Sequence, residues 1–329
     1  MTQCFPIGRA LLGLAATLSS SFACAQGLPT KPVRIIVPIA PGGVVDLIAR
    51  ATAPIVSAQI GQPVLVENRP GAATFIGMSA CETAAPDGST VCLTTSDSLV
   101  LNPLQFSKLP YDAENGFSFV TVLVRTYGVI AANQSLPAAS VPELINHARA
   151  NPGALNWATW GPASISAIYY EWFKRQNGVA ITSIPYKGLG PAIPALASNE
   201  VQLSYSAIGL ALPHVKAGKM KFLAVTGAKR LPFLPGVPSL AEYNSDPGLT
   251  SYFGMYAPAK TPAPVVERLS AEFTRAMQTP KLQEFVAAQY VEAMGLTPTE
   301  FAAFHKTDRE NAARIFKALG IKPSDSPPN

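Results

Sequence analysis

Apolar positions along the chain follow two alternating rhythms. Short β-branched runs bounded by Gly, Pro or Asn read as buried strands: Arg34–Ile39, Val64–Glu67, Val91–Thr95, Val120–Val124, Gly128–Ala132, Leu155–Ala158, Ile181–Pro185, Val201–Tyr205 and Phe222–Val225. Between them, apolar residues recurring every three or four positions predict helices over Asp46–Ile60, Phe75–Thr83, Val141–Asn151, Ser166–Asn177, Gly190–Ser198, Ala207–Ala217, Ser239–Tyr243, Pro264–Gln278, Pro280–Gln289 and Pro298–Leu319. Several of these open on Pro or Ser, as helix starts do. Strands alternating with helices predict an α/β fold of βαβ units, with mostly parallel sheets covered on both faces. From residue 270 onward the pattern is purely helical and amphipathic, a segment expected to wrap a sheet rather than extend it.

One junction in this pattern carries chemistry. The run Val33–Val37 is broken by Pro41-Gly42-Gly43, and Asp46-Leu47-Ile48-Ala49-Arg50 then opens a helix. A strand feeding a Gly-Gly turn into a helix start gathers free backbone N–H groups and the positive helix end at one point, a seat for an anion. Asp46 would repel an anion directly. It either holds water in the site or favours the first helical turn.

The amino terminus predicts export. Arg9 is the sole charge before residue 31, and Ala10–Leu18 is an apolar core too short to span a bilayer. Ala23-Cys24-Ala25 fits a signal-peptidase site, giving a signal peptide over 1–25, a mature start at Gln26 and a periplasmic location. No later stretch reads as transmembrane.

The 329 residues are enough for two domains, and a hydrophobic content of 48% argues against disorder. A net charge of +5 without a basic cluster interleaved with aromatics excludes nucleic acid as a partner, while a mild positive bias suits anion capture. Cys81 and Cys92 flank the turn Pro86-Asp87-Gly88; they either form a disulfide or pack as two buried thiols. His147, His214 and His305 lack metal-ligand spacing, and no nucleophile elbow is present, so no cofactor, metal or catalytic residue is expected. A scattered catalytic triad, and with it an exported hydrolase, stays open as the alternative.

The ordered set Lys31-Pro32-Val33-Arg34, Pro41-Gly42-Gly43, Asp46, Gly61-Gln62-Pro63-Val64, Val66-Glu67-Asn68-Arg69-Pro70-Gly71, Ala85-Pro86-Asp87-Gly88, Asn102-Pro103, Leu109-Pro110-Tyr111-Asp112, Pro185-Tyr186-Lys187-Gly188, Leu234-Pro235-Gly236-Val237-Pro238 and Ala257-Pro258-Ala259-Lys260 resembles the Bug/TctC family, extracytoplasmic solute receptors of tripartite tricarboxylate transporters. The resemblance runs through the whole mature chain. It implies a two-lobed type II periplasmic-binding-protein fold with two crossovers and a cleft between lobes. Lobe one would hold 26–125 and 247–329, and lobe two 126–246. It further implies a small carboxylate ligand, transient contact with membrane permease subunits, and a monomer.

By the same resemblance the ligand lies between the Pro41-Gly42-Gly43-Val44 loop with Asp46, and a lobe-two loop carrying Thr159, Trp160, Gly161 and Ser164, where Ser164 either contacts the carboxylate or caps the next helix. Ser96 and Tyr205 complete the expected lining. Four positions depart from the family pattern: Ala167 stands where His is common, Phe75 where Asn is, Ser206 where Asp is, and Trp160 replaces a small residue. If these face the cleft, it is broad and dry, which favours an aromatic carboxylate or dicarboxylate such as terephthalate over an aliphatic dicarboxylate. Tyr127 and Tyr256 are expected near the crossovers, and Lys187 adds positive potential or is simply solvated.

Overall fold

The computed structural model describes residues 30–159, 164–186 and 189–325. The expected signal peptide and Trp160, Gly161 and Lys187 lie outside these residues. The chain builds β1 (Val33–Val37), β2 (Val64–Asn68), β3 (Thr90–Thr95) and β4 (Phe117–Thr126), then β5 (Gly128–Asn133), β6 (Asn156–Thr159), β7 (Thr182–Pro185), β8 (Leu203–Ala207) and β9 (Met220–Val225), and finally β10 (Ser251–Pro258) and β11 (Glu292–Ala293). These form two sheets, in the orders β11-β4-β10-β3-β1-β2 and β7-β6-β8-β5-β9. The chain passes from the first sheet to the second at Tyr127 alone, and returns through residues 226–250.

The helices are α1 (Val44–Ile60), α2 (Phe75–Glu82), α3 (Asn102–Gln105), α4 (Val141–Ala150), α5 (Ile165–Asn177), α6 (Leu189–Ala197), α7 (Ile208–Lys216), α8 (Ala263–Met277), α9 (Pro280–Ala288) and α10 (Pro298–Leu319). Their ends follow local chemistry. In α10, Thr297 and Glu300 form a reciprocal capping box, Pro298 occupies the first turn, and Gly320 closes the helix in the left-handed conformation. Residues 239–243, expected as a helix, make a 3-10 turn over Leu240–Tyr243.

Each sheet is buried on both faces, which is why its strands read as continuous apolar runs. On one face of the first sheet Ile35, Val91 and Leu123 meet Ile48 and Val56 of α1 and Leu269 and Phe273 of α8. On the other, Ile36 and Val122 meet Met78 of α2 and Phe301 of α10. Each fully buried side chain of this kind contributes about 1.5–3 kcal/mol. Cys81 of α2 and Cys92 of β3 are joined as a disulfide, with Cα atoms 6.1 Å apart, so of the two alternatives the structure has the bond.

Two expectations are corrected. The sheets are mixed rather than mostly parallel: β1–β2, β1–β3, β6–β7 and β6–β8 run parallel, whereas β10 lies antiparallel between β3 and β4, and β5 antiparallel between β8 and β9. The cause is the double crossover, because a strand arriving from the other sheet enters from the opposite end. The carboxyl-terminal region is not purely helical, since β11 pairs with β4 and extends the first sheet. Tyr256, expected near the second crossover, packs there: it is fully buried in β10 against Phe117 and Phe301. Among the described residues no helix is long and apolar enough to cross a membrane.

Candidate functional site

In open α/β sheets ligands sit outside the carboxyl ends of the parallel strands. Here β1 and β3 end side by side in the first sheet, and β6 and β8 in the second.

The β1 end runs into Pro41, Gly42 and Gly43, all exposed, and into the half-buried Val44. Gly42 has φ +89°, which its missing side chain permits. Gly43 precedes α1 and offers no side-chain cap, so the first N–H groups of that helix keep their capacity for an anion. Asp46 is 3% exposed and fixes this loop. Its carboxylate accepts the Gly42 N–H at 2.9 Å, Arg50 Nε at 3.0 Å and Asn68 Nδ2 at 2.9 Å. Asn68 also donates to the Ile39 carbonyl at 3.1 Å and accepts from Arg50 at 2.7 Å. Burial alone would raise the Asp46 carboxyl; the bonds from Arg50, Gly42 and Asn68 outweigh it and hold the group below its ordinary value. Asp46 therefore braces the loop, a third role beyond the two expected. Arg50 and Asn68 were not singled out from sequence, although the i,i+4 spacing of Asp46 and Arg50 was readable.

The β3 end forms a 3-10 turn over Ser96–Ser98. Ser96 is buried, and its hydroxyl donates to the Thr250 carbonyl at 3.3 Å, tying this turn to the second crossover. Ser98 Oγ pairs with Thr94 Oγ1 at 2.7 Å and with Thr74 Oγ1 at 2.9 Å. Asn102 donates to the Ala73 carbonyl at 2.9 Å. These contacts hold Ala72, Ala73 and Thr74, three successive residues with positive φ. Phe75, expected as a cleft wall, is a core residue: it is 5% exposed and packs edge-on against Phe106 and Tyr111, at 5.2 and 5.9 Å. It opens α2 on the side that faces the sheet.

Between the two serines stands Asp97, which was not singled out from sequence. It is half-buried, and its charge contributes to raising the hydroxyls of Tyr205 in β8 and Tyr252 in β10 and the carboxyl of Asp308 in α10. Burial pushes its carboxyl up to about 6, against hydrogen bonds from the Thr95 side chain and its own backbone.

In the second sheet, Thr159 ends β6 but is buried, its hydroxyl paired with Ser183 Oγ of β7 at 2.8 Å. Ser206 is also buried, and bonds Ser204 Oγ at 3.4 Å along one face of β8. Both hydroxyls serve the sheet rather than a cleft surface. Tyr205, on the opposite face of β8, stacks on Tyr169 at 4.8 Å and is 7% exposed. Ser164 caps α5, accepting the Ala167 N–H at 3.2 Å. Ala167 itself is buried.

The site thus presents two helix starts, of α1 and α5, at strand ends of two sheets. Among the described residues no three His, Cys, Asp or Glu side chains gather as metal ligands. His305 is buried, bonded through Nδ1 to Tyr252 Oη at 3.0 Å and held down at about 4 by burial and by Arg309.

The chain matches the profile of the tripartite tricarboxylate transporter family receptor over residues 48–321. BugT of Bordetella pertussis is 30% identical over 315 residues, covering 95% of each chain. Among solved structures, Rpa4515 of R. palustris with adipate is 30% identical with a TM-score of 0.80, over 90% of this chain and 99% of that one. The periplasmic binding protein BugD is 29% identical with a TM-score of 0.76, over 90% and 100%. The two-lobed α/β fold of these two solved structures is the two-sheet frame described above. The profile spans most of the chain, and the protein belongs to the Bug/TctC family of tripartite tricarboxylate transporter receptors.

Proposed function

We propose that the protein is a periplasmic receptor that captures a small carboxylate between lobes 26–125 with 247–329 and 126–246, and delivers it to the permease subunits of a tripartite tricarboxylate transporter. The observation that carries this is the Gly42–Gly43 loop, braced by Asp46, Arg50 and Asn68 so that an uncapped helix start stays open to an anion. The start of α5, which Ser164 caps, is the second helix start at the site. The relative solved with adipate supports the same ligand class. Rotation of the lobes about Tyr127 and residues 226–250 closes the cleft.

The finer reading is an aromatic carboxylate or dicarboxylate such as terephthalate. Its support is the methyl of Ala167 where the family often has an imidazole, and the Tyr205 ring at the β8 end; Phe75, packed in the core, contributes nothing to it. Calorimetric titration with benzoate, terephthalate, adipate and citrate tests both levels. The receptor reading expects binding of an acid and loss with its methyl ester, and equal binding of the ester overturns it. An adipate or citrate preference overturns only the aromatic reading.

A further inference from the structure

Resting on that carboxylate-receptor reading, we propose that the ligand also carries a protonated nitrogen and that Asp97 is the residue that selects it. The placement of Asp97 carries the inference. Its turn closes β3, the neighbour of the strand that leads into the Gly42–Gly43 loop. Ser96, beside it, is bonded to Thr250 at the second crossover. From there the Asp97 carboxylate reaches electrostatically to Tyr205, on a strand of the other sheet. A carboxylate on the turn at the carboxyl end of β3, beside the loop that follows β1, stands at the crevice where open α/β sheets hold their ligands.

Among the described residues Asp97 enters no ion pair, and its hydrogen bonds come from the Thr95 side chain and its own backbone. A second carboxylate adds to the imbalance. Asp308 of α10 is 4% exposed and feels the charge of Asp97; its Oδ1 accepts the Thr250 N–H at 3.3 Å, and its Oδ2 has no hydrogen-bond partner among the described residues. Arg125 offsets Asp308 in part.

A site that seats one anion on helix starts and keeps an uncompensated carboxylate nearby disfavours a dianion such as terephthalate or adipate, whose second charge would meet Asp97, and so replaces the dicarboxylate of the finer reading above with a ligand of one carboxylate. It favours a zwitterion, with its carboxylate on the loop and an ammonium or protonated ring nitrogen on Asp97 in a charge-assisted hydrogen bond.

Matched ligands test this by calorimetry at neutral pH: terephthalate against para-aminomethylbenzoate, and adipate against epsilon-aminocaproate and omega-hydroxycaproate. The amino member of at least one set should bind roughly tenfold more tightly, or better, than its dicarboxylate. Asp97→Asn should abolish that preference while the need for the ligand carboxylate remains. Failure of every amino member to bind overturns the inference, as does a dicarboxylate or the hydroxy acid binding as well as its amino counterpart in every set where the amino member binds. An unchanged ratio in Asp97→Asn overturns it too; should that variant not fold, the wild-type ratio decides. Binding that survives esterification of the carboxylate sinks the receptor reading instead, so the two failures are distinct.

Discussion

Truncating Asp46 tests whether the anion loop is set in place before ligand arrives. Asp46→Ala removes the acceptor for the Gly42 N–H, Arg50 Nε and Asn68 Nδ2. Hydrogen bonds to a charged group contribute about 1.5–3 kcal/mol each, but this sum is discounted here. Gly42 is exposed and Arg50 is 50% exposed, so both regain water, and Asn68 keeps its bond to Ile39. A stability loss of about 2–3 kcal/mol is expected in urea unfolding. Freeing one or two loop residues adds about 1–2 kcal/mol each to the ordering cost of binding, so affinity should fall roughly tenfold to a hundredfold by calorimetry. Asp46→Asn, which keeps one acceptor, should fall between. Because the folded Asp46 carboxyl is depressed, its stabilisation is full above the unfolded value of 3.8 and fades as pH falls through the folded value; the gap between wild type and Asp46→Ala should close in strong acid. Unchanged affinity in a destabilised Asp46→Ala would refute the idea that a preset loop matters for capture.

Asp308→Asn should raise the melting temperature at about pH 8 and give little gain near pH 4, because burial lifts the carboxyl to about 6 and the cost of ionising it grows as pH rises through that value; a larger gain in acid contradicts this. Gly128→Ala places a methyl into the buried Tyr205 ring, and should cost about 1–3 kcal/mol in unfolding experiments or push that ring toward the cleft with loss of affinity. Replacing Cys81 and Cys92 together by Ala should lower stability by about 3 kcal/mol, the loop-closure value for an 11-residue separation, and reductant should then no longer shift the melting curve.

The elements were legible wherever local chemistry and periodicity agreed, as at Pro298 of α10 or the Val-Ile run of β1. β10 escaped because Gly254 interrupts its apolar run and Pro258 ends it; its place is set by Thr94 and Val122 on its neighbours, far away in sequence. β11 is two residues long and exists only because β4 offers an open edge. At the site, the loops were found and several side chains were misread. Thr159 and Ser206 are polar residues near strand ends, but their hydroxyls pair within the sheet, and this depends on Ser183 and Ser204. Phe75 sits beside a cleft loop in sequence and inside the core in space. Asp97, flanked by serines, carries no pattern of its own; only the return of Thr250 and the approach of Tyr205 give it significance.

The one-residue passage at Tyr127 has a mechanical consequence. Two bodies joined by a single residue and by a second strap are left with essentially one soft degree of freedom, a swing about the line through both tethers. Displacement in a swing grows with distance from its axis. Asp97, next to the strap through Ser96 and Thr250, travels little, whereas parts remote from both tethers sweep the largest arcs. Under the proposed capture by lobe rotation, a ligand is inspected near the pivot whether the molecule is ajar or shut, and is gripped at the far edges only at the end of the stroke. Recognition and retention are thereby separated in time by the way the chain is threaded.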